Sequence, residues 1–154
     1  MPIRQVTPQA QLERQLQAMV QQAKAEIVER MLWIGEEATN EARRYNGKQY
    51  TDQTGNLRSS TGYALVVDGE TTNVSNFPQV PPRNDPRGEA GQGGPTGRSY
   101  AEQVATQFPT GIALVVVAGM SYAKYVSDRG YNVLDSARTY ARSQVEQMVK
   151  KLRK

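Results

Sequence analysis

The longest apolar run of the chain lies between two glycines, Gly111 and Gly119. All seven residues between them are apolar, and Ile112, Val115, Val116 and Val117 are β-branched. The run is too short to span a membrane and too uniformly apolar for a strand with one wet face. It therefore predicts a central β-strand covered on both faces, with a buried helical segment as the alternative.

Apolar residues that recur at steps of three and four predict a long N-terminal helix. Thr7 and Pro8 suit its N-cap and first helical position, and Asn46-Gly47 would stop it after about Tyr45. Such a helix would be roughly 55 Å long, against a diameter of roughly 40 Å for a compact chain of this size. We therefore expect either a bend at Gly35 or a stripe that meets another chain. The stripe comprises Leu12, Leu16, Met19, Ala23, Ile27, Met31, Ile34, Ala38 and Ala42, widened by Val20, Val28, Leu32 and Trp33.

Residues 46–62 are polar and predict a linker, in which Thr54 could cap one helical turn that Leu57 anchors. The β-rich runs 63–67 and 70–74 flank Asp68-Gly69, a sequence typical of a hairpin turn. The second run is polar, so we expect it to form an edge strand. A two-residue turn would pair Val67 with Glu70, Leu65 with Thr72 and Tyr63 with Val74.

Composition changes abruptly between Phe77 and Ser99, where prolines alternate with glycines and no periodicity survives. We interpret residues 78–98 as a Pro/Gly-rich extended loop, which at this length is typical of a disordered or functional segment. Ser99 would then cap a short helix from Tyr100 to about Phe108.

The C-terminal part of the chain predicts one helical turn around Tyr122–Val126 and a last helix capped by Asn132, with Asp135 at its N3 position. The apolar face of that helix would contain Leu134, Ala137, Ala141, Val145, Met148 and Leu152. Together these patterns predict one α+β domain over residues 1–154. In it a small antiparallel sheet, made of the hairpin and a buried central strand, is packed by the long N-terminal helix and the C-terminal helix.

The amino-acid composition excludes several kinds of catalytic and metal site. The chain has no cysteine and no histidine, which excludes disulfides, thiolate chemistry, Ser–His–Asp triads and the usual zinc ligand sets. No leader-like segment and no run of 18 apolar residues is present, so we expect a protein used without secretion or membrane insertion. The formal charge is +4, and basic residues crowd the last helix. That helix could contact nucleic acid or an acidic protein, or it could be a solvated face.

Three candidate sites have simpler explanations. The segment from Gly88 to Ser99 invites comparison with a phosphate-binding loop, but no apolar strand precedes it and Arg98 stands in place of the lysine. A backbone anion nest at residues 54–56 is less common than an ordinary glycine turn. The tyrosines at 122, 125 and 131 could stack on bases, yet the nearby charges balance.

Asp residues mostly occupy turn or cap positions, so we expect no enzyme activity and no cofactor.

Two motifs resemble a known family. Thr54-Gly55-Asn56-Leu57-Arg58-Ser59-Ser60, which leads into a strand, and Ser121-Tyr122-Ala123-Lys124-Tyr125-Val126, which follows the apolar strand, are similar to the tail-completion, or head–tail joining, proteins of long-tailed bacteriophages. The order of elements matches over about residues 10–150. The family pattern usually continues with Glu and then Gly, whereas here Ser127-Asp128-Arg129-Gly130 intervenes.

The resemblance implies a structural virion protein in the neck, assembled in the bacterial cytoplasm as a homo-oligomeric ring. Its partners would be connector and tail-tube proteins, with transient contact to packaged DNA as an option. A tail-terminator role and, in another class, a small basic DNA-binding domain are the alternatives. As candidate interface residues we take Trp33, Thr54, Leu57, Arg58, Pro81, Pro82, Arg83, Arg87, Arg98, Tyr122, Tyr125, Arg129 and Tyr131.

Overall fold

The computed structural model describes residues 8–44, 50–84 and 86–154. Internal contacts divide the chain into two units, Met1–Arg30 and Met31–Lys154. The elements follow in the order α1 (Gln9–Arg43), α2 (Asn56–Ser59), β1 (Thr61–Val67), β2 (Glu70–Val74), α3 (Gly93–Ala105), β3 (Ile112–Ala118), α4 (Ala123–Asp128) and α5 (Asp135–Leu152). The predicted α+β class is confirmed.

The three strands form an antiparallel sheet in the order β2-β1-β3, so β1 is the central strand. The apolar run 112–118 is therefore an edge strand, and its predicted central position is wrong. Its two faces are nevertheless covered, because Val115 and Val117 pack toward α3 while Val116 packs toward α1 and α5. Six of the seven residues of β1 are buried.

The hairpin turn has the predicted residues and a different register. Asp68 and Gly69 have φ of 50° and 87°, which suits a type I′ turn. Val67 pairs with Glu70 as predicted, but an irregularity between Leu65 and Val66 shifts the pairs beyond it. Leu65 therefore pairs with Asn73 and Ala64 with Val74, and the predicted pairs of Leu65 with Thr72 and of Tyr63 with Val74 are wrong. The extra residue, Thr72, donates its hydroxyl to the carbonyl of Leu65 over 3.3 Å.

Helices cover both faces of the sheet in the second unit. On one face, small residues of α3 meet Ala64, Val66, Val115 and Val117. On the other face, Ala38 and Ala42 of α1 pack with Ala137 of α5. Gly35 permits close approach there, because a Cβ at this position would lie 2.8 Å from the Tyr63 ring. Gly35 therefore has a packing role in α1, and the bend expected there stays a prediction.

α3 begins earlier than predicted. It starts at Gly93, not after Ser99, and ends at Ala105, not near Phe108. The extended loop predicted for 78–98 therefore ends before residue 93. Gly93, Gly97, Ala101 and Ala105 recur every four residues and are all buried, so a stripe of small residues faces α2 and Ser60 at its start and the sheet further on.

The first unit is described from Pro8 to Arg30 and is helical from Gln9 onward. Its stripe residues Leu12, Leu16, Met19 and Val20 are between 48% and 66% exposed. In the second unit the same periodicity is buried at Met31, Ile34, Ala38 and Ala42. The predicted cap Thr7 and the predicted stop at Tyr45 to Gly47 lie outside the described residues.

The helical turn predicted near Tyr122 is confirmed as α4, and the last helix as α5. The N-cap residue of α5 is Leu134 and not the predicted Asn132, but the side-chain oxygen of Asn132 accepts the N–H of Ser136 in the first turn over 3.1 Å. Asp135, however, is the first residue of that helix and not its N3 residue. Among the helices of the described residues, none combines the length and the apolar character needed to cross a membrane.

Candidate functional site

Three chain segments enclose a cavity of about 530 Å³, which we call the motif cavity. Its walls come from residues 50–57, residues 87–92 and residues 120–126. Both short motifs identified in the sequence therefore meet at this cavity, although sixty residues lie between them in the chain. The lining residues are Tyr50, Thr51, Asp52, Gln53, Thr54, Asn56, Leu57, Arg87, Gly88, Glu89, Gln92, Met120, Tyr122 and Val126.

Asp52 fixes the first wall. One carboxylate oxygen accepts the N–H of Arg58 over 2.8 Å and the other accepts that of Leu57 over 3.4 Å. Because these N–H groups lie in the first turn of the short helix α2, Asp52 caps it. The predicted cap Thr54 contributes as well: Gly55 holds the N-cap position, but the Thr54 hydroxyl oxygen accepts the N–H of Asn56, the first residue of α2, over 3.3 Å. Gly55 has φ of 74°, and a Cβ there would collide with the carbonyl oxygen of Val80.

Asn56 ties the first wall to the second. Its side-chain oxygen accepts the N–H groups of Gln92 at 3.0 Å and Gly93 at 3.2 Å. Its side-chain amide donates to the carbonyl of Glu89 over 2.7 Å. Asn56 is only 4% exposed, and these bonds satisfy three of its hydrogen-bonding positions inside the protein. The start of α3 is thereby held against a residue 37 positions earlier.

Tyr122 closes the third side of the motif cavity and remains 39% exposed. Burial raises the pKa of the Tyr122 phenol, the nearby Asp52 carboxylate raises it further, and the neighbouring Thr54 side chain opposes the rise. The phenol is therefore neutral at physiological pH and available as a donor or acceptor at the cavity mouth.

Leu57 and Arg58, two predicted interface residues, are buried within the chain. Leu57 is 1% exposed and packs with Tyr50, Ala118, Ala123 and Val133. Arg58 is 6% exposed, and its guanidinium carbon lies 4.8 Å from the ring centroid of Tyr50. Leu57 lines the motif cavity, and Arg58 packs against Tyr50 of the same lining.

Other interface candidates lie outside the motif cavity. The guanidinium of Arg129 lies 4.7 Å from the ring centroid of Tyr125, which is 58% exposed. Trp33 is half exposed and its ring centroid is 6.4 Å from that of Tyr140. Tyr131 is half-buried against the cluster that holds Leu57.

The remaining candidates belong to the segment before α3 and to α3 itself. Pro81, Pro82, Arg83, Arg87 and Arg98 are all exposed. Arg83 and Arg87 are held near the motif cavity, since their N–H groups donate to the backbone oxygen of Gln53 at 2.8 Å and to its side-chain oxygen at 3.3 Å. Arg98 donates to the carbonyl of Ser75 over 3.4 Å.

Sequence reasoning misses the residues that organise the motif cavity, Asp52, Asn56 and Gln92. Local composition assigns Asp52 to a turn, and its position shortly before the α2 turn is the one feature that points to capping. The partners of Asn56 lie more than thirty residues away, so no local pattern identifies them.

The motif cavity offers hydrogen-bonding groups from side chains and backbone. The carboxylate of Asp52 is already engaged with two backbone N–H groups. In residues 8–44, 50–84 and 86–154 there is no cluster of three acidic side chains close enough to hold a metal ion. Comparison of the chain with protein-family models, curated proteins and solved structures gave no match.

Proposed function

We propose that the protein is a structural subunit of a tailed-bacteriophage virion, which joins the capsid connector to the tail as part of a ring in the neck. The observation that carries this proposal is the meeting of the two family-like motifs at one cavity. Thr54 from the first motif and Tyr122 from the second both line this cavity. A chance resemblance of two separate short segments gives no reason for them to share a site.

The exposed apolar stripe of the first unit supports assembly with neighbouring copies. Leu12, Leu16, Met19 and Val20 continue the same periodicity that is buried further along α1, and each is about half exposed or more. Contiguous apolar surface of this kind marks interaction sites. In a ring the adjacent subunit would cover it, and contacts of this head-to-tail type close when the rotation between subunits closes.

The test is the assembly state of the purified protein, alone and mixed with its connector and tail-tube proteins, by light scattering and negative-stain microscopy. We expect rings, and we expect Leu16→Lys to abolish them because it places a charge in the stripe. Gln21→Lys is the matched control, since it adds the same charge to an exposed position on the opposite side of the helix. A discrete monomer that ignores both partners would overturn the proposal. Rings that cap the tail tube without the connector would indicate a tail terminator.

One observation favours DNA contact as a second candidate function. Residues 135–154 hold six basic and two acidic side chains, so this segment alone accounts for the net charge of +4. All six basic residues are exposed. Phosphate contacts by these residues predict DNA binding that weakens steeply as salt rises. A gel-shift titration at low salt in which no complex forms would exclude this candidate.

A further inference from the structure

The strand β3 has one free edge. The sheet order places β1 on one side of it, and in the described part of the chain no strand lies on the other side. Ile112, Ala113, Leu114 and Val116 are partly exposed along it. Open strand edges with unpaired backbone groups are sites where another strand can add.

The register identifies which backbone groups point outward. Asp68 donates its N–H to the carbonyl of Gly111 over 2.8 Å, and Gly119 donates its N–H to the carbonyl of Ser60 over 3.1 Å. These two bonds bracket the β1–β3 ladder, so the odd-numbered residues of β3 exchange hydrogen bonds with β1. The N–H and C=O groups of the even-numbered residues, Ile112, Leu114, Val116 and Ala118, therefore face the free edge.

The two edges of the sheet differ in how they are protected. The outer strand β2 carries Glu70 and three other polar residues, and the irregularity opposite Leu65 and Val66 interrupts its ladder. Charges and bulges are devices that keep an edge from pairing. β3 has no charge, no proline and no irregularity in its seven paired residues. The protein thus protects one edge and leaves the other competent to pair.

A groove of about 330 Å³ lies beside residues 115–118 of the unprotected edge. Tyr100 and Val104 line it on the α3 side, and Val133 and Leu134 line it on the other side. Lys124 and Ser127 of α4 also line the groove, so an added strand beside residues 115–118 would find walls that are mainly but not wholly apolar. A strand that fits must be apolar on both faces and must itself have an unpaired edge.

We propose that the free edge of β3 binds the β3 strand of a second copy of this chain, in antiparallel orientation across a two-fold axis. In the described residues β3 meets both requirements, whereas β2 is polar and β1 is already paired on both sides. Self-pairing brings no like charges together, because residues 111–119 are uncharged. The result is a continuous six-stranded sheet with β2 at both outer edges. This pairing does not depend on the role in a phage neck.

The first test uses proline at an outward-facing position. Val116→Pro removes an N–H that the β1–β3 ladder does not use, so the subunit keeps its sheet while the added strand loses a hydrogen bond. Sedimentation equilibrium should show a dimer for the wild type and at least a tenfold weaker dimer for Val116→Pro. Val116→Ala controls for the lost side chain, and Thr71→Pro places a proline on the other edge; both should dimerise as the wild type does. Circular dichroism establishes that each variant is folded.

The second test identifies the partner strand as β3 of another copy. Ala113→Lys and Ala113→Glu each add a like charge to β3 of both copies and should each be monomeric, whereas their mixture should form a heterodimer. Hydrogen exchange should show protection at the amides of Leu114 and Val116 that rises with protein concentration.

A wild-type protein that stays monomeric at high concentration would overturn the proposal. So would a dimer that folded Val116→Pro leaves unchanged, or two Ala113 variants that remain monomeric when mixed. A dimer that Leu16→Lys disrupts and Val116→Pro does not would assign self-association to the α1 stripe and refute pairing through β3. Ring formation with the connector is a separate readout, so failure of either proposal is distinguishable from failure of the other.

Discussion

The substitution Gly97→Ala tests whether the glycine-rich segment is packed structure or a flexible arm. A Cβ at Gly97 would lie 2.5 Å from the carbonyl oxygen of Ser60 and 2.7 Å from both the Phe77 ring and the Cα of Ser60. Two of these three atoms belong to the backbone that leads into β1, the most buried strand. They cannot move aside as the end of a flexible side chain can.

Two opposing effects determine how much Gly97→Ala changes the free energy of unfolding. Alanine favours a helix over glycine by about 1 kcal/mol, so in an exposed or unpacked helix the substitution would be stabilising. Overpacking a well-filled site costs about 1–3 kcal/mol. Because the neighbours at Gly97 are rigid, we take the upper end of that range and expect a net loss of about 2 kcal/mol in the free energy of unfolding. For a chain of this size that loss lowers Tm by about 4–8 °C.

Urea denaturation followed by far-ultraviolet circular dichroism measures the change in the free energy of unfolding. Ser99→Ala is the control, because Ser99 lies in the same helix and is exposed, and its effect should stay within about 0.5 kcal/mol. The sign of the change in the free energy of unfolding distinguishes packed structure from a flexible arm. If Gly97→Ala leaves the protein equally or more stable, α3 does not pack on the segment before β1, and the glycine-rich segment is a flexible arm after all.

Two further substitutions probe buried polar contacts. Asn56→Ala leaves the N–H groups of Gln92 and Gly93 without their acceptor, so we expect a loss of about 2–4 kcal/mol in urea denaturation, against little change for exposed Gln92→Ala. Tyr63→Phe tests alkaline stability: burial, with help from a 2.8 Å hydrogen bond to Glu36, raises the Tyr63 pKa above its usual 10.0. The neutral phenol then stabilises the folded state below pH 10.0, and this contribution is lost as pH rises beyond it. Unfolding titrations from pH 8 upward should show a steeper alkaline decline for the wild type than for the variant, and equal slopes would contradict the assignment.

Sequence patterns predict those helices and turns that are determined by residues close together in the chain. The three-and-four periodicity of α1 and α5 and the Asp68-Gly69 turn depend on residues within a few positions of each other. The register beyond the turn depends on the irregularity opposite Leu65, which no local rule identifies. The family-like motifs are visible in the sequence as short segments, but their meeting at one cavity requires the fold.

The polar stretch before β1 shows why the rest could not be predicted. Residues 55–60 contain four polar side chains and are typical of a linker, yet all six are buried. Burial of polar groups is tolerated only where partners exist. Those partners are Asp52 for the α2 turn, Glu89 to Gly93 for Asn56, and the N–H of Val80 for the Ser59 hydroxyl. Most of them are distant in sequence, so the burial becomes visible only when the chain is folded.

The glycine-rich segment departs from its predicted structure for a related reason. Glycine lowers helix propensity, so Gly93, Gly94 and Gly97 argue against a helix when only local preference is considered. In the fold each of these glycines is buried, and a Cβ at Gly93 would collide with the carbonyl of Asn56. Tertiary packing therefore requires the residues that local preference disfavours. In an arm that becomes ordered only on assembly, packing within the subunit would not require glycine at these positions.

The apolar run at β3 shows that coverage of a strand's two faces and pairing of its two backbone edges are separate properties. An uninterrupted apolar strand indicates that both faces are covered, and both faces of β3 are covered, by α3 and by α1 with α5. Face coverage says nothing about the strand's backbone edges, because edge groups are satisfied by neighbouring strands and not by side chains. β1, with its mixed sequence Thr-Gly-Tyr-Ala-Leu-Val-Val, is the strand paired on both sides. An apolar edge strand that has no protecting charge and stays unpaired would promote aggregation. The presence of such a strand in this chain is therefore the physical reason to expect a second strand beside it.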